Sequence, residues 1–187
     1  MFCIYKGFCY LAICSRESYS IFMAIITMET LAELRKTHAE KRIVFCSGVF
    51  DLTHAGHALF FEDCKKLGDI LVVAVGCDMN IQTYKGKGRP VCNQYVRAKM
   101  VDSLKPIDYV FIDEPMQKEN LHEFLPHVFA KLQPDVYAVN KDAFGIPDRQ
   151  KILERYPQVQ FVLLERWCPP EFDAISTTGL IQKIKEV

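Results

Sequence analysis

Ile43-Val44-Phe45-Cys46-Ser47-Gly48-Val49-Phe50-Asp51-Leu52-Thr53-His54-Ala55-Gly56-His57 decides the fold. Ile43 to Cys46 is a short apolar run of the kind that is buried on both faces of a parallel sheet. Gly48 begins a turn, and His57 to Lys66 reads as a helix closed by Gly68 in the C′ position. A strand therefore feeds straight into a helix, with two imidazoles and two glycines at the junction. Backbone N–H groups at a helix start lack partners and the helix dipole is positive there, so the junction favours a phosphate. Glycine at 48 and 56 leaves no Cβ between backbone and nucleotide. His54 and His57 can donate to the oxygens of a phosphorus centre as charge builds on them.

The alternation continues outward from this junction. Ile70 to Val75 is a second strand, and a Gly, Lys and Arg loop containing Lys85, Lys87 and Arg89 follows it. Tyr95 to Leu104 reads as a helix ended by Pro106, Tyr109 to Ile112 as the third strand, and Leu121 to Leu132 as a helix stopped before Pro134. Val136 to Val139 and Gln160 to Leu164 are two more strands, separated by a helix around Gln150 to Tyr156, and a closing helix starts at about Thr177. The predicted fold is α/β: a Rossmann-like parallel five-stranded sheet with helices on both faces and right-handed crossovers. Ligands of such sheets bind at the carboxyl ends of the strands.

A chain of 187 residues suits one ordinary α/β domain, placed at 28–187. Residues 1–27 are expected to be a poorly structured or mis-called N-terminal extension, with Met23 or Met28 as the natural start. Their longest apolar stretch is far below a membrane span, and they fit neither a signal peptide nor a mitochondrial presequence. With 23 basic and 23 acidic side chains, the chain lacks the cationic excess of a general nucleic-acid or anionic-membrane surface. Phosphate chemistry must then come from a local cluster. The eight cysteines contain no C-x-x-C pair, which argues against zinc and disulfide frameworks and for a reducing, cytoplasmic setting.

Each candidate also has a plainer reading. H-x-x-H can ligate a metal or simply pack. Asp51 is read as orienting the turn and the histidines, not as a metal ligand. Lys85, Lys87 and Arg89 form a basic loop that is either solvated or in contact with phosphate. Gly86-x-Gly88 lacks the third glycine of a dinucleotide fingerprint and lies beyond a strand end, which argues against hydride transfer. Arg97 alone is an exposed helix residue, and Ser176 with Thr177 an ordinary N-cap. His38, His122 and His127 are read as surface or core residues.

Gly48-Val49-Phe50-Asp51 followed by His54-Ala55-Gly56-His57 resembles the signature of the cytidylyltransferase-like nucleotidyltransferase superfamily. Arg97 in Tyr95-Val96-Arg97-Ala98-Lys99-Met100-Val101 resembles the arginine which that family carries before its third strand, and Ile175-Ser176-Thr177-Thr178 resembles its closing motif. The resemblance spans about residues 42–185. The order Leu67-Gly68-Asp69, Val72 to Val75, and Lys85-Gly86-Lys87-Gly88-Arg89-Pro90-Val91 resembles the adenylyltransferase domain of ADP-heptose synthase, and after it glycerol-3-phosphate and ethanolamine-phosphate cytidylyltransferases. The chain departs at the fourth strand, where Val139-Asn140-Lys141-Asp142 stands in place of a Lys-Gly-Gly-Asp stretch, and in a longer segment from Trp167 to Ala174. Arg166 could align with the arginine that precedes the closing motif.

The resemblance implies transfer of AMP or CMP from ATP or CTP to a small phosphorylated substrate, with release of pyrophosphate. It assigns His54, His57 and Lys85 to catalysis. Gly48, Phe50, Asp51, Gly56, Arg97, Asn140, Asp142, Ser176, Thr177 and Thr178 are assigned to nucleotide and phosphate binding. Mg²⁺ is implied by the triphosphate, without a metal site of protein residues, and a homodimer by family likeness. A catalytically silent nucleotide-binding module on the same fold is the alternative. A class I aminoacyl-tRNA synthetase fragment is disfavoured by the lack of a lysine-rich signature loop.

Overall fold

Strand β3 (Ile43–Gly48) lies at the centre of a five-stranded sheet because its neighbours on both sides are as apolar as it is. The computed structural model describes residues 3–5, 8–10, 25–115, 123–172 and 175–187. Cys3–Tyr5 (β1) and Phe8–Tyr10 (β2) pair with each other as a short antiparallel hairpin. The main sheet contains β3, β4 (Ile70–Val75), β5 (Tyr109–Ile112), β6 (Val136–Asn140) and β7 (Gln160–Leu164), in the order β5-β4-β3-β6-β7 and parallel throughout. The direction of strand addition reverses between β3 and β6, and that switch point is where a doubly wound sheet opens a crevice. The register brings the carboxyl ends level, with Gly48 beside Val75 and Val75 beside Ile112.

Seven helices are described: α1 (Leu31–Thr37), α2 (Ala55–Lys65), α3 (Asp78–Lys85), α4 (Gln94–Asp102), α5 (Phe124–Leu132), α6 (Ile146–Leu153) and α7 (Thr177–Lys185). Alternation along the strands gives each face its own core. Ile43, Phe45, Phe111 and Tyr137 point to α1, α5 and α6, where they meet Leu31, Phe129 and Leu153. Val44, Cys46, Val73 and Ala138 point to α2 and α4, where they meet Phe61, Cys64, Ala98 and Val101. Gly68 closes the turn into β4, where a Cβ would stand 2.7 Å from the Arg42 carbonyl oxygen.

The sheet and its two-sided cover match the sequence expectation, and several boundaries differ, three of them near the site. The stretch after β4 begins with α3, not a loop. Only Asn80 and Ile81 of that helix are buried, too few apolar positions to read as a helical period. Helix α6 starts at Ile146, four residues before the expected start, with Gly145 as N-cap in the left-handed region and Pro147 in the first turn. Helix α5 is described from Phe124, and the expected residues Leu121 and His122 lie outside the described residues. His38 donates to or accepts from the Tyr109 hydroxyl at 2.8 Å, and His127 is exposed. The free cysteines Cys46, Cys64 and Cys77 are buried.

Candidate active site

The chain leaves β3 through a tight loop in which Phe50 and Leu52 adopt positive φ angles, 52° and 46°. Such backbone is strained for residues with a Cβ and persists only where surrounding contacts fix it. Here Phe50 folds back over Gly48: a Cβ at Gly48 would lie 2.7 Å from its ring. Gly48 thus makes room for Phe50, whereas the sequence pointed to room for a nucleotide. The Phe50 ring in turn meets His57 edge-on, with centroids 5.5 Å apart. Gly56 leaves space for the His54 ring, which a Cβ there would approach to 3.1 Å.

Asp51, 1% exposed, fixes the loop from beneath. Its carboxylate accepts from Val91 N–H at 2.8 Å and Cys92 N–H at 3.0 Å, and it pairs with Arg89 at 3.3 Å. These bonds tie the basic loop after α3 to the β3–α2 junction. The Asp51 carbonyl accepts from the Thr177 hydroxyl at 3.0 Å, which draws the start of α7 to the same point.

His54 is the N-cap of α2, and its ring stacks on His57 with centroids 3.9 Å apart. The His54 backbone N–H donates to His57 Nδ1 at 3.4 Å. An accepting Nδ1 leaves the proton of a neutral imidazole on Nε2, where it can be donated. Burial, with His54 and Arg166 nearby, holds the His57 pKa down at about 3. His54 is lowered too, by burial first and Arg166 second. Both rings are therefore neutral donors at pH 7. His54 Nδ1 is buried without a partner among the described residues.

Lys85 closes α3 and reaches the same space, with its ammonium 5.8 Å from the Tyr84 ring centroid. Burial and Arg89 lower its pKa. Arg97 is placed differently from the other candidates. It is 1% exposed and does not line the cleft; its guanidinium donates to the carbonyls of Cys92 (2.9 Å) and Val49 (2.7 Å) and to Asp78 at 2.6 Å. It joins α3, α4 and the two loops at the β3 exit. The exposed helix position that its sequence neighbours suggested is not what it occupies.

Asn140 ends β6 and Asp142 follows it; both line the cleft, where Arg166 pairs with Asp142 at 2.8 Å. The N-terminus of α7 completes the site. Ser176 accepts from Gly179 N–H at 3.1 Å, and Thr177 and Thr178 line the opening. Because the Thr177 hydroxyl proton is directed to Asp51 and Gly179 N–H to Ser176, the groups left at the opening are the Ser176 and Thr178 hydroxyls and the N–H groups of Thr177 and Thr178.

Together these residues surround a cleft of about 260 Å³ at the β3–β6 switch point. Lys85, Arg89, Arg149 and Arg166 face it against the carboxylates of Asp51 and Asp142. A neutral chain has here collected a local positive cluster of the kind that attracts phosphates. Several lining residues were not singled out from sequence, Tyr84, Phe144 and Arg149 among them. Tyr84 and Phe144 stack on each other with centroids 5.2 Å apart, and Arg149 lines the same cleft. Gly145 and Pro147, read as a helix start, could have placed Arg149 in the first turns of α6.

Residues 45–183 match the cytidylyltransferase-like family. The chain is 31% identical to the bifunctional protein HldE of Campylobacter curvus over 92% of its own length and 33% of that protein's. It is 33% identical to the protein of the same name from Aliarcobacter butzleri, over 85% of this chain and 31% of that one. It thus spans about a third of the length of these curated relatives. Among solved structures, a lipopolysaccharide core biosynthesis protein from Thermoplasma volcanium superposes with a TM-score of 0.56 at 24% identity, covering 68% of this chain and 99% of that one. A pantoate-beta-alanine ligase from Francisella tularensis superposes with a TM-score of 0.58 at 13% identity, over 87% and 78%. At those identities the two structures speak for the fold alone. The match over residues 45–183 carries more: the chain belongs to the cytidylyltransferase-like family and is a nucleotidyltransferase.

Proposed function

We propose that this protein transfers AMP or CMP from ATP or CTP to a small phosphorylated substrate, a sugar phosphate or a polyol or amino-alcohol phosphate, and releases pyrophosphate. The observation that carries the reading is the His54–His57 pair at the start of α2, two neutral stacked imidazoles facing a cleft whose charged side chains are mostly cationic. An oxygen of the acceptor phosphate attacks the α-phosphorus in line. The bond from that phosphorus to the bridging oxygen breaks, and its electrons leave with pyrophosphate. The nucleophile is already ionised, so the protein's work is positioning and charge neutralisation. His57 donates from Nε2 to the pentavalent centre, with His54 beside it. Lys85 neutralises the α-phosphate and the acceptor. Ser176, Thr178 and the N–H groups of α7 hold the leaving phosphates.

Mg²⁺ suits this cleft as an ion carried by the phosphates and water. Asp51 is already bonded to Val91, Cys92 and Arg89, and Asp142 to Arg166, so neither lining carboxylate is committed to a cage. When bound, the ion would offset charge on the triphosphate. Cytoplasmic residence and a homodimer belong to the same reading. No described helix is long and apolar enough to cross a membrane, and exposed Val96 and Met100, one turn apart on α4 beside Tyr95, offer an apolar face to a second copy.

Pyrophosphate release with Mg²⁺ tests the proposal, crossing ATP and CTP against heptose 1-phosphate, glycerol 3-phosphate and phosphoethanolamine. A signal from one pair identifies base and acceptor together. Silence across the grid, with nucleotide still bound by calorimetry, favours a silent nucleotide-binding module.

A further inference from the structure

Arg149 is only 8% exposed, yet it forms no ion pair among the described residues. Its partners are all neutral: the Phe144 carbonyl at 3.1 Å, the Ser47 hydroxyl at 3.1 Å and the Tyr137 hydroxyl. Burial lowers its pKa to about 10, which still leaves a full cation at pH 7. Buried charges are normally paired, because removing one from water costs several kcal/mol. Arg42, Arg89 and Arg97 all have acidic or amide partners in this chain, so Arg149 stands apart.

The position is as informative as the missing counter-charge. Arg149 lines the main cleft and also a smaller recess of about 60 Å³ that opens from it, bounded by Gly48, Gly76, Asn80, Tyr84, Asp113 and Phe144. At about 15 Å³ per water-sized occupant the recess holds roughly four such groups. That is the scale of a phosphate and too small for a base or a sugar ring. The recess lies on the α5–α6 side of the sheet, across the ends of β3 and β4 from the α2 start that carries the histidines. An anion here is contiguous with the cleft but off the α7 N-terminus.

We propose that the Arg149 recess is an anion subsite that seats the phosphate of the acceptor beside the Tyr84–Phe144 pair. Arg149 supplies the counter-charge, Ser47 and Tyr137 hold its guanidinium in place, and the one carboxylate on the recess wall, Asp113, is occupied in accepting from Cys77 N–H at 2.6 Å and Asn80 at 3.3 Å. The placement rests on the transferase reading; the existence of an anion site does not. The subsite separates acceptor from nucleotide: triphosphate is held by α7 and the histidines, and the acceptor enters from the other side of the sheet.

The test uses inorganic phosphate as probe, followed in the arginine Nε–Hε NMR spectrum of the full chain, with the Arg149 signal assigned by its absence in Arg149→Lys. Saturable movement of that signal is expected in wild type. In Arg149→Lys, bound phosphate should weaken about tenfold while the melting temperature holds. An unmoved Arg149 signal, with phosphate shifting only Arg89 or Arg166, overturns the proposal and leaves the transferase reading intact. Movement of the Arg149 signal in a protein that releases no pyrophosphate from any pair would instead sink the transferase reading and keep the anion site.

Discussion

His57 is the residue on which the chemistry turns, and its surroundings make two outcomes checkable. Its Nε2 proton is directed to the cleft only because Nδ1 accepts from His54 N–H. Loss of a preorganised donor to a developing oxyanion costs on the order of a hundredfold or more in turnover. The second outcome concerns pH. With a folded-state pKa near 3, against an ordinary value of 6.5, His57 binds its proton more readily when the chain is unfolded. Its contribution to stability is intact above pH 6.5 and is lost as pH falls from there towards 3. His57→Gln should flatten that part of a denaturation-midpoint curve; an unchanged slope would mean that the ring is not held neutral by burial. Asp113 works in the opposite sense. Burial raises it to about 6 from 3.8, so its penalty grows as pH rises through that range. Asp113→Asn should remove the penalty, and chemical denaturation at pH 4 and pH 7 would measure it.

At the scale of elements, the sheet was legible because strands covered on both faces are written as unbroken runs such as Ile70 to Val75. The β3–α2 junction was legible for a related reason: the apolar run ends at a glycine, and the chain resumes an amphipathic pattern after Gly56. Helix α3 was not, since it keeps only Asn80 and Ile81 in the interior and holds its place through polar contacts, including Asn80 to Asp113 at 3.3 Å. The role of Arg97 was equally hidden, because its partners Val49, Cys92 and Asp78 are brought to it by the fold and not by spacing. Arg97→Met should destabilise the protein by about 3 kcal/mol, as breaking a buried charge network does, and fall chiefly on the melting temperature. A variant with normal stability and a raised KM for nucleotide would return Arg97 to the phosphate-binding role its motif suggested. Gly48→Ala should push Phe50 off its seat and loosen His57, seen as lost turnover with a modest fall in stability.

For the molecule as a whole, the isolated bridge from Ile25 to Val110 marks where the described chain joins the sheet edge. A chain beginning at Met23 is therefore expected to match the melting temperature of the full chain, and a fall of more than a few degrees would assign the first residues a structural part. Size and charge balance were readable directly. The gathering of Lys85, Arg89, Arg149 and Arg166 around one cleft was not, because they come from three separate segments that only the order β5-β4-β3-β6-β7 brings together. That convergence separates a chain with no net charge from a site with a strong one.

The most direct measurement is the pyrophosphate release rate of wild type and His57→Ala, side by side, with Mg²⁺ and the productive nucleotide and acceptor pair. The expected result is a rate at least about a hundredfold lower in the variant, with an unchanged fold by circular dichroism. A His57→Ala protein that releases pyrophosphate at the wild-type rate would contradict the account.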